Sequence, residues 1–258
     1  MEKGFLETLF AIEDSLDKII IVGGWCPYLY AQYLWRKKIR NIPTTTDIDL
    51  GVLETGGCKF DRTIYDKLSA AGLAVERIYD QEPEPIEFVY KKKEIEMKVE
   101  FITSFETSDD TLNRFLGSKL ACNRIEAFEI LLEEPECIGI NHSGKKLHLN
   151  IPKPETFLYH KGITFVMRSY EAKRDKDLFY VYFILKFCPD QKALLNSLKR
   201  FKKHELFKAF KQNLKKYLAD VSKPGYEMLR PYVRRWIDEK RVYQEITEIF
   251  GPLLDLAQ

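Results

Sequence analysis

The stretch IIIVGGWCPYLYAQYLWRKKIRNIPTTTDIDLGV, residues 19–52, holds two apolar runs separated by a helix-like segment. The first run, residues 19–22, is short, β-branched and wholly apolar, and it stops at Gly23 and Gly24. That is the pattern of a strand buried on both faces. The second run, residues 46–53, also has strand composition, yet it carries Asp47 and Asp49 one residue apart. Side chains alternate along a strand, so these two carboxylates project from one face, about 6.6 Å apart along the backbone, while Ile48 and Leu50 take the other. Two ionised carboxylates side by side repel and are costly where water is scarce, unless a cation sits between them. Oxygen-only ligands of this kind suit Mg²⁺, which completes its shell with water and substrate phosphates. A strand end whose aspartates simply point into solvent is the competing reading.

Upstream of this stretch, Phe5, Leu6, Leu9, Phe10, Ile12 and Leu16 lean to one side and predict a helix over residues 4–16. Downstream, residues 61–73 predict a helix stopped near Gly72. IEFVY, a lysine-rich turn and EIEMKVEFIT, together residues 86–103, predict a hairpin. In its second arm Ile95, Met97, Val99 and Phe101 share one face, and Glu94, Glu96, Lys98 and Glu100 share the other. A carboxylate from a neighbouring strand would complete a two-ion site with Asp47 and Asp49. Glu100, deepest in the apolar part, is preferred over Glu96, the alternative being the solvent face of an amphipathic strand. The Gly-Gly turn opening a helix can present backbone N–H groups to phosphate oxygens. His142 and His148 fall in a further predicted hairpin, where nothing pairs them with a cysteine and no metal role is assigned.

The prolines of IPKPETF, residues 151–157, mark a change of regime. Residues 1–152 read as α/β, and residues 153–258 as a mostly helical domain. There Leu194, Leu198, Phe201, Phe207, Phe210, Leu214 and Leu218 predict one amphipathic helix over residues 194–218. Residues 191–240 hold 14 Lys/Arg against 5 Asp/Glu, a local balance of +9 that leaves −7 for the remainder of a chain of net charge +2. Lys199, Arg200, Lys202 and Lys203 cluster, with Lys211, Lys215 and Lys216 following. This is either a solvated helix face or a surface for the phosphates of a polyanion. Five cysteines (Cys26, Cys58, Cys122, Cys137 and Cys188), with no C-x-x-C pair, argue against a disulfide framework or a zinc site and fit a reducing compartment. The opening MEKGFLETLF lacks a signal-peptide core, and no run approaches the roughly 18 apolar residues of a membrane span. A cytoplasmic protein without a membrane partner is expected.

Strand, Gly-Gly, helix, then T-x-D-I-D-L resembles the signature of the nucleotidyltransferase fold of polymerase-beta-like enzymes. The later segment IPKPETFLYHKGITFVMRSYEAKRDKDLFYVYFIL, residues 151–185, is similar to the P-x-P-x-x-x-L-x-H-K … R-x-x-K-D-L-x-D-L pattern of the abortive-infection (AbiEii-type) nucleotidyltransferase toxins and their minimal relatives. The resemblance implies an α/β (α+β) fold: a mixed sheet flanked by helices, followed by a helical C-terminal domain completing the site. It also implies Mg²⁺-dependent transfer of an NMP from an NTP to an acceptor hydroxyl with loss of pyrophosphate. Asp47, Asp49 and Glu100 would be the ligands of two Mg²⁺ ions (Mn²⁺ being the alternative), Gly23 and Gly24 the phosphate turn, and Lys161 and Lys176 the phosphate neutralisers. Asp177 would orient Lys161 or Lys176, or act as a base. His160 is read as a helix residue against the proline link rather than a ligand. An RNA acceptor such as tRNA, or a protein, and a partner antitoxin are the implied partners. The chain departs from the family at Pro43, where an arginine is common (Arg40 is the nearest substitute), at Trp25, where a small residue is common, and in using Glu for the third acid. An antibiotic nucleotidyltransferase and a non-catalytic nucleotide- or RNA-binding module of the same fold are the alternatives. The gathered carboxylates weigh against the last, since binding alone gives no reason to collect like charges.

Overall fold

The apolar run Ile19–Val22 forms β1, buried along its whole length, and pairs antiparallel with β2, Asp47–Val52. These are the first two of eight strands in a computed structural model that describes residues 2–42, 45–53, 60–78, 85–142 and 144–256. The others are β3 (Ala74–Arg77), β4 (Ile86–Lys92), β5 (Ile95–Thr103), β6 (Cys122–Arg124), β7 (Glu136–His142) and β8 (Lys145–Ile151). They lie in the order β3-β4-β5-β2-β1-β8-β7, with β6 beside β5. The sheet is mixed: β2 runs parallel to β5 and β1 to β8, while β3-β4, β4-β5 and β7-β8 are antiparallel. This is an α/β architecture with helices about a mixed sheet and a helical C-terminal part.

Two compact units divide the chain. One comprises Met1–Arg36 and Ile42–Pro152, and holds the whole sheet. The other comprises Lys37–Asn41 and Lys153–Gln258. In the sheet unit the turn after β1 leads into a short helix, Cys26–Leu29, whose continuation Tyr30–Leu34 is wound as a π-helix. Tyr30 is fully buried there because its hydroxyl donates to the carbonyl of Pro152 at 2.7 Å. The helix Ile64–Ala70 is shorter than residues 61–73. Its start is fixed by Thr63 and Asp66, which cap each other's backbone N–H groups, and its end by Gly72 at φ +78°.

Two helix expectations fail for one reason. The segment expected as a helix over residues 4–16 is an α-helix only over Glu2–Ala11 and continues as a 3₁₀ helix over Glu13–Lys18. The segment over residues 194–218 is two α-helices, Gln191–Leu198 and Phe207–Leu218, separated by a 3₁₀ stretch, Lys199–Lys203. All seven apolar residues of that second segment are nevertheless buried. A spacing of three or four serves both windings, so apolar period alone does not separate them. The break is held by His204, whose N–H returns to the Phe201 carbonyl at 2.8 Å and whose Nδ1 accepts the Leu206 N–H at 3.2 Å.

The helical unit is built around Pro154–Thr164 and Glu171–Phe187, with Pro224–Val233 and Val242–Leu256 completing it. Every residue from Pro154 to Thr164 except Glu155 is buried. Gly162 permits this packing, since a Cβ there would lie 2.4 Å from the Phe210 ring. No helix among the described residues is long and apolar enough to cross a membrane.

Candidate active site

The register of the sheet places the carboxylates. On β2 and β5, Asp49 stands level with Glu100 and Asp47 with Lys98. Residues opposite each other on neighbouring strands share a face, so Asp47, Asp49, Lys98 and Glu100 lie on one side of the sheet. Ile48, Leu50, Val99 and Phe101 are buried on the other. All three carboxylate residues are half-buried. On the other flank of β2, Asp49 stands level with Val22, the last residue before the glycine turn.

Gly23 has a specific reason to be glycine. Its φ is +67°, and a Cβ built on it would fall 1.7 Å from Oδ2 of Asp49. The Asp49 carboxylate therefore occupies the space a side chain would take and rests directly against the backbone of the turn. Trp25, large where relatives have a small residue, does not fill that space. It is buried and stacked on Phe5 with ring centroids 4.0 Å apart. The backbone N–H of Asp47 donates to Thr45 Oγ1 at 3.2 Å, which fixes the entry into β2.

Lys98 shares this face, although sequence reading left it without a role. Its ammonium lies 3.5 Å from Glu87 Oε2 on β4. The Glu87 carboxylate raises the Lys98 pKa against the effect of burial, with Glu76 and Glu100 adding to it. Lys98 thus remains a cation beside the acids. The donor set of Asp47, Asp49 and Glu100 is oxygen-only and faces one way, which is the chemistry of a hard divalent cation. Among the described residues, however, no three His, Cys, Asp or Glu side chains converge closely enough to hold a single ion. Asp49 and Glu100 are brought level across the two strands, with Asp47 two residues before Asp49 on the same face.

In the helical unit the residues of the H-K and K-D-L segments form a second charged group. Lys161 Nζ donates to Asp177 Oδ1 at 2.7 Å, and Arg168 Nε donates to Asp177 Oδ2 at 2.8 Å. Lys161 and Asp177 are buried, their side chains 5% and 7% exposed, whereas Arg168 is 40% exposed. Burial pushes the Asp177 carboxyl up, but the two cations outweigh it and hold it below the usual carboxylate range. A carboxylate so held is a poor base at neutral pH and a good clamp. Lys161 also lies 5.8 Å and 5.9 Å from the ring centroids of Phe157 and Tyr180. Lys176, half-buried, approaches the Tyr180 ring at 5.9 Å, while Asp177 accepts hydrogen bonds from Lys161 and Arg168. Arg168 was not singled out by sequence, because its contact depends on the turn between two helices. His160 is buried in the helix Pro154–Thr164, where its carbonyl accepts from Thr164 Oγ1.

Of the departures from the family pattern, Pro43 lies outside the described residues, as does Cys58. Arg40 is exposed, and its carbonyl accepts a hydrogen bond from Trp236 Nε1 at 2.7 Å. The other four cysteines are free thiols. One sequence expectation is corrected here: His148 does have a cysteine partner. The antiparallel register of β7 and β8 sets Gly139 opposite His148 and Cys137 opposite Asn150, bringing Cys137 Sγ to 3.9 Å from His148 Nδ1. That diagonal contact needs the register, and residue spacing alone did not reveal it.

A family model described as nucleotidyltransferase matches residues 6–201, about three quarters of the chain. The chain belongs to that nucleotidyltransferase family. The matched span includes the glycine turn, all three carboxylates and the Lys161–Asp177 pair. No curated protein gives a significant match. Among solved structures, the chain is similar to an antigenic nucleotidyltransferase-like protein from Paracoccidioides brasiliensis. The two share 16% identity over 81% of this chain and 91% of the other, with a TM-score of 0.40.

Proposed function

We propose that this nucleotidyltransferase is Mg²⁺-dependent and transfers an NMP from an NTP to a hydroxyl on RNA, in the manner of the AbiEii-type toxins, with an antitoxin as its protein partner. The observation that carries the catalytic part is the seat of Asp49: level with Glu100 across β2 and β5, on one face with Asp47, and against a turn whose glycine cannot be replaced without displacing it. Gathering like charges costs stability, and three acids on one face beside a glycine turn are accounted for by a phosphoryl-transfer site.

Asp47, Asp49 and Glu100 would hold Mg²⁺, or Mn²⁺ in its place. When bound, such an ion neutralises triphosphate charge and lowers the pKa of the attacking hydroxyl. The backbone N–H groups following Gly23 bind phosphate oxygens. Glu100 takes the proton of the acceptor hydroxyl as its oxygen bonds to the α-phosphorus and the bond to the bridging oxygen of the β-phosphate breaks, releasing pyrophosphate. Lys98 tempers the accumulated negative charge without removing it. Lys161 is held in place by Asp177, and the more exposed Arg168 and Lys176 carry the accessible positive charge for phosphate groups.

The RNA acceptor is supported by the basic run of the helical unit. Lys199, Arg200, Lys202 and Lys203 are exposed or half-buried around the buried Phe201, and Lys215 and Lys216 follow on the exposed side of the next helix. Incubation with each α-labelled NTP, Mg²⁺ and total RNA tests the proposal, beside the Asp47→Ala/Asp49→Ala double variant. Label on an RNA band that is absent with the variant is the expected result. Label confined to a protein band moves the acceptor to a side-chain hydroxyl. Label that appears only when an aminoglycoside or lincosamide replaces RNA overturns the RNA reading.

A further inference from the structure

The β7-β8 hairpin and the 3₁₀ helix Glu13–Lys18 line an open cavity of about 390 Å³, whose lining includes Glu13, Asp17, Cys137, Lys146, His148 and Asn150. Asn150 ties its walls together, since its side-chain amide donates to the carbonyls of Leu16 and Ile19 at 3.3 and 3.2 Å. Into this cavity the hairpin register brings a thiol and an imidazole: Cys137 Sγ and His148 Nδ1 are 3.9 Å apart, within sulfur hydrogen-bond range. Gly139, opposite His148, has no side chain. A Cβ there would meet Lys146 Cε at 2.8 Å, so the lysine stem lies across the glycine beside the imidazole.

The other described cysteines contrast with this one. Cys26 is fully buried and donates its thiol to the Ile21 carbonyl. Burial pushes the Cys122 thiol up to about 12 and raises that of Cys188, so neither supplies thiolate at neutral pH. Cys137 is exposed. A thiol reacts as thiolate, and its reactivity follows access to solvent and proximity to a proton acceptor or cation. Cys137 has His148 as the proton acceptor, while Lys146 lines the same cavity with the carboxylates of Glu13 and Asp17, of which Asp17 already pairs with Lys18 at 3.1 Å.

We propose that Cys137 and His148 form a reactive-thiol site that takes low-molecular-weight disulfides. The Cys137 thiol passes its proton to His148 Nδ1, and the thiolate sulfur attacks one sulfur of the incoming disulfide. The disulfide bond breaks, a Cys137 mixed disulfide forms, and the displaced thiolate leaves as a thiol with the proton from His148. One disulfide and one protein thiol become one mixed disulfide and one small thiol, and excess thiol reverses the reaction.

The test uses the full chain with an aromatic nitrobenzoate disulfide, following thiol release by absorbance and reading the labelled residue by peptide mass. Cys137 is expected to label in the native protein about tenfold faster than in the chain unfolded in denaturant. His148→Gln, at an exposed position, is expected to return that rate to the unfolded value. Native labelling of Cys137 no faster than in the unfolded chain overturns the proposal, and so does a His148→Gln rate identical to wild type. The native-to-unfolded ratio is measured on the wild-type chain and does not depend on the variant folding.

Discussion

The two charged groups of this protein are opposite in design. On the sheet, Asp47, Asp49 and Glu100, all half-buried, share one face with the exposed cation Lys98. In the helical unit one buried carboxylate, Asp177, is held by two cations at hydrogen-bonding distance. The second group pairs a buried carboxylate with cations, which gives it a structural reason to exist. The first brings three carboxylates to one sheet face, and like charges at a sheet surface oppose folding. Composition treats both as charged residues in motifs, whereas packing buries one as an ion-paired group and leaves the other on a half-buried sheet face, where the proposed chemistry would act.

Substitutions should separate the two. The largest effect is expected for Asp49→Asn, which should lower nucleotidyl transfer by at least about 10³-fold, roughly 4 kcal/mol of transition-state stabilisation. Its thermal midpoint should stay level or rise, since a like charge is removed. A loss of activity that merely tracks a loss of folded protein would erase the distinction. Asp177→Ala should do the reverse. Leaving Lys161 buried without its carboxylate is expected to cost about 3–5 kcal/mol, seen as a thermal midpoint lower by roughly 10 °C.

The sign of the pH dependence follows from the same residue. The Asp177 carboxyl is held below its ordinary value in the folded chain. Its contribution is therefore complete at neutral pH and disappears as the pH falls below the usual aspartate value of about 4. Acid unfolding of wild type followed by circular dichroism should show this loss, and Asp177→Asn should flatten that part of the curve.

Gly23→Ala should combine the two kinds of effect. Positive φ and the Asp49 carboxylate both oppose a Cβ, so a stability cost of about 1–3 kcal/mol should accompany loss of transfer. A fully active Gly23→Ala enzyme would mean that the seat of Asp49 is unimportant. The smallest effect belongs to Lys98→Met. Its ion pair with Glu87 is partly exposed and should contribute less than about 1 kcal/mol, so any change in the divalent-ion requirement for transfer would report the acids it neighbours.

The placement of the acids on one sheet face was legible in the sequence because it is local. Asp47 and Asp49 share a face by strand alternation alone, and the hairpin that offers Glu100 is visible in its alternation. What the sequence could not supply was register: that Glu100 meets Asp49 and not Asp47, that Lys98 lies among the acids, and that Cys137 reaches His148. Arg168 was missed for the same reason, since its contact with Asp177 depends on how the chain turns at Phe165–Met167 between two helices. The single helices expected over residues 4–16 and 194–218 were misread because apolar spacing survives a change from α to 3₁₀ winding.

The most direct test of the central claim, that the acids of β2 and β5 hold a divalent cation for phosphoryl transfer, is a Mn²⁺ titration followed by electron paramagnetic resonance with a nucleotide triphosphate present. It would compare wild type, Asp49→Asn and Lys98→Met. The account predicts saturable Mn²⁺ binding to wild type, binding retained or strengthened in Lys98→Met, and binding lost in Asp49→Asn while that variant remains folded. Equal Mn²⁺ binding by wild type and Asp49→Asn would contradict it.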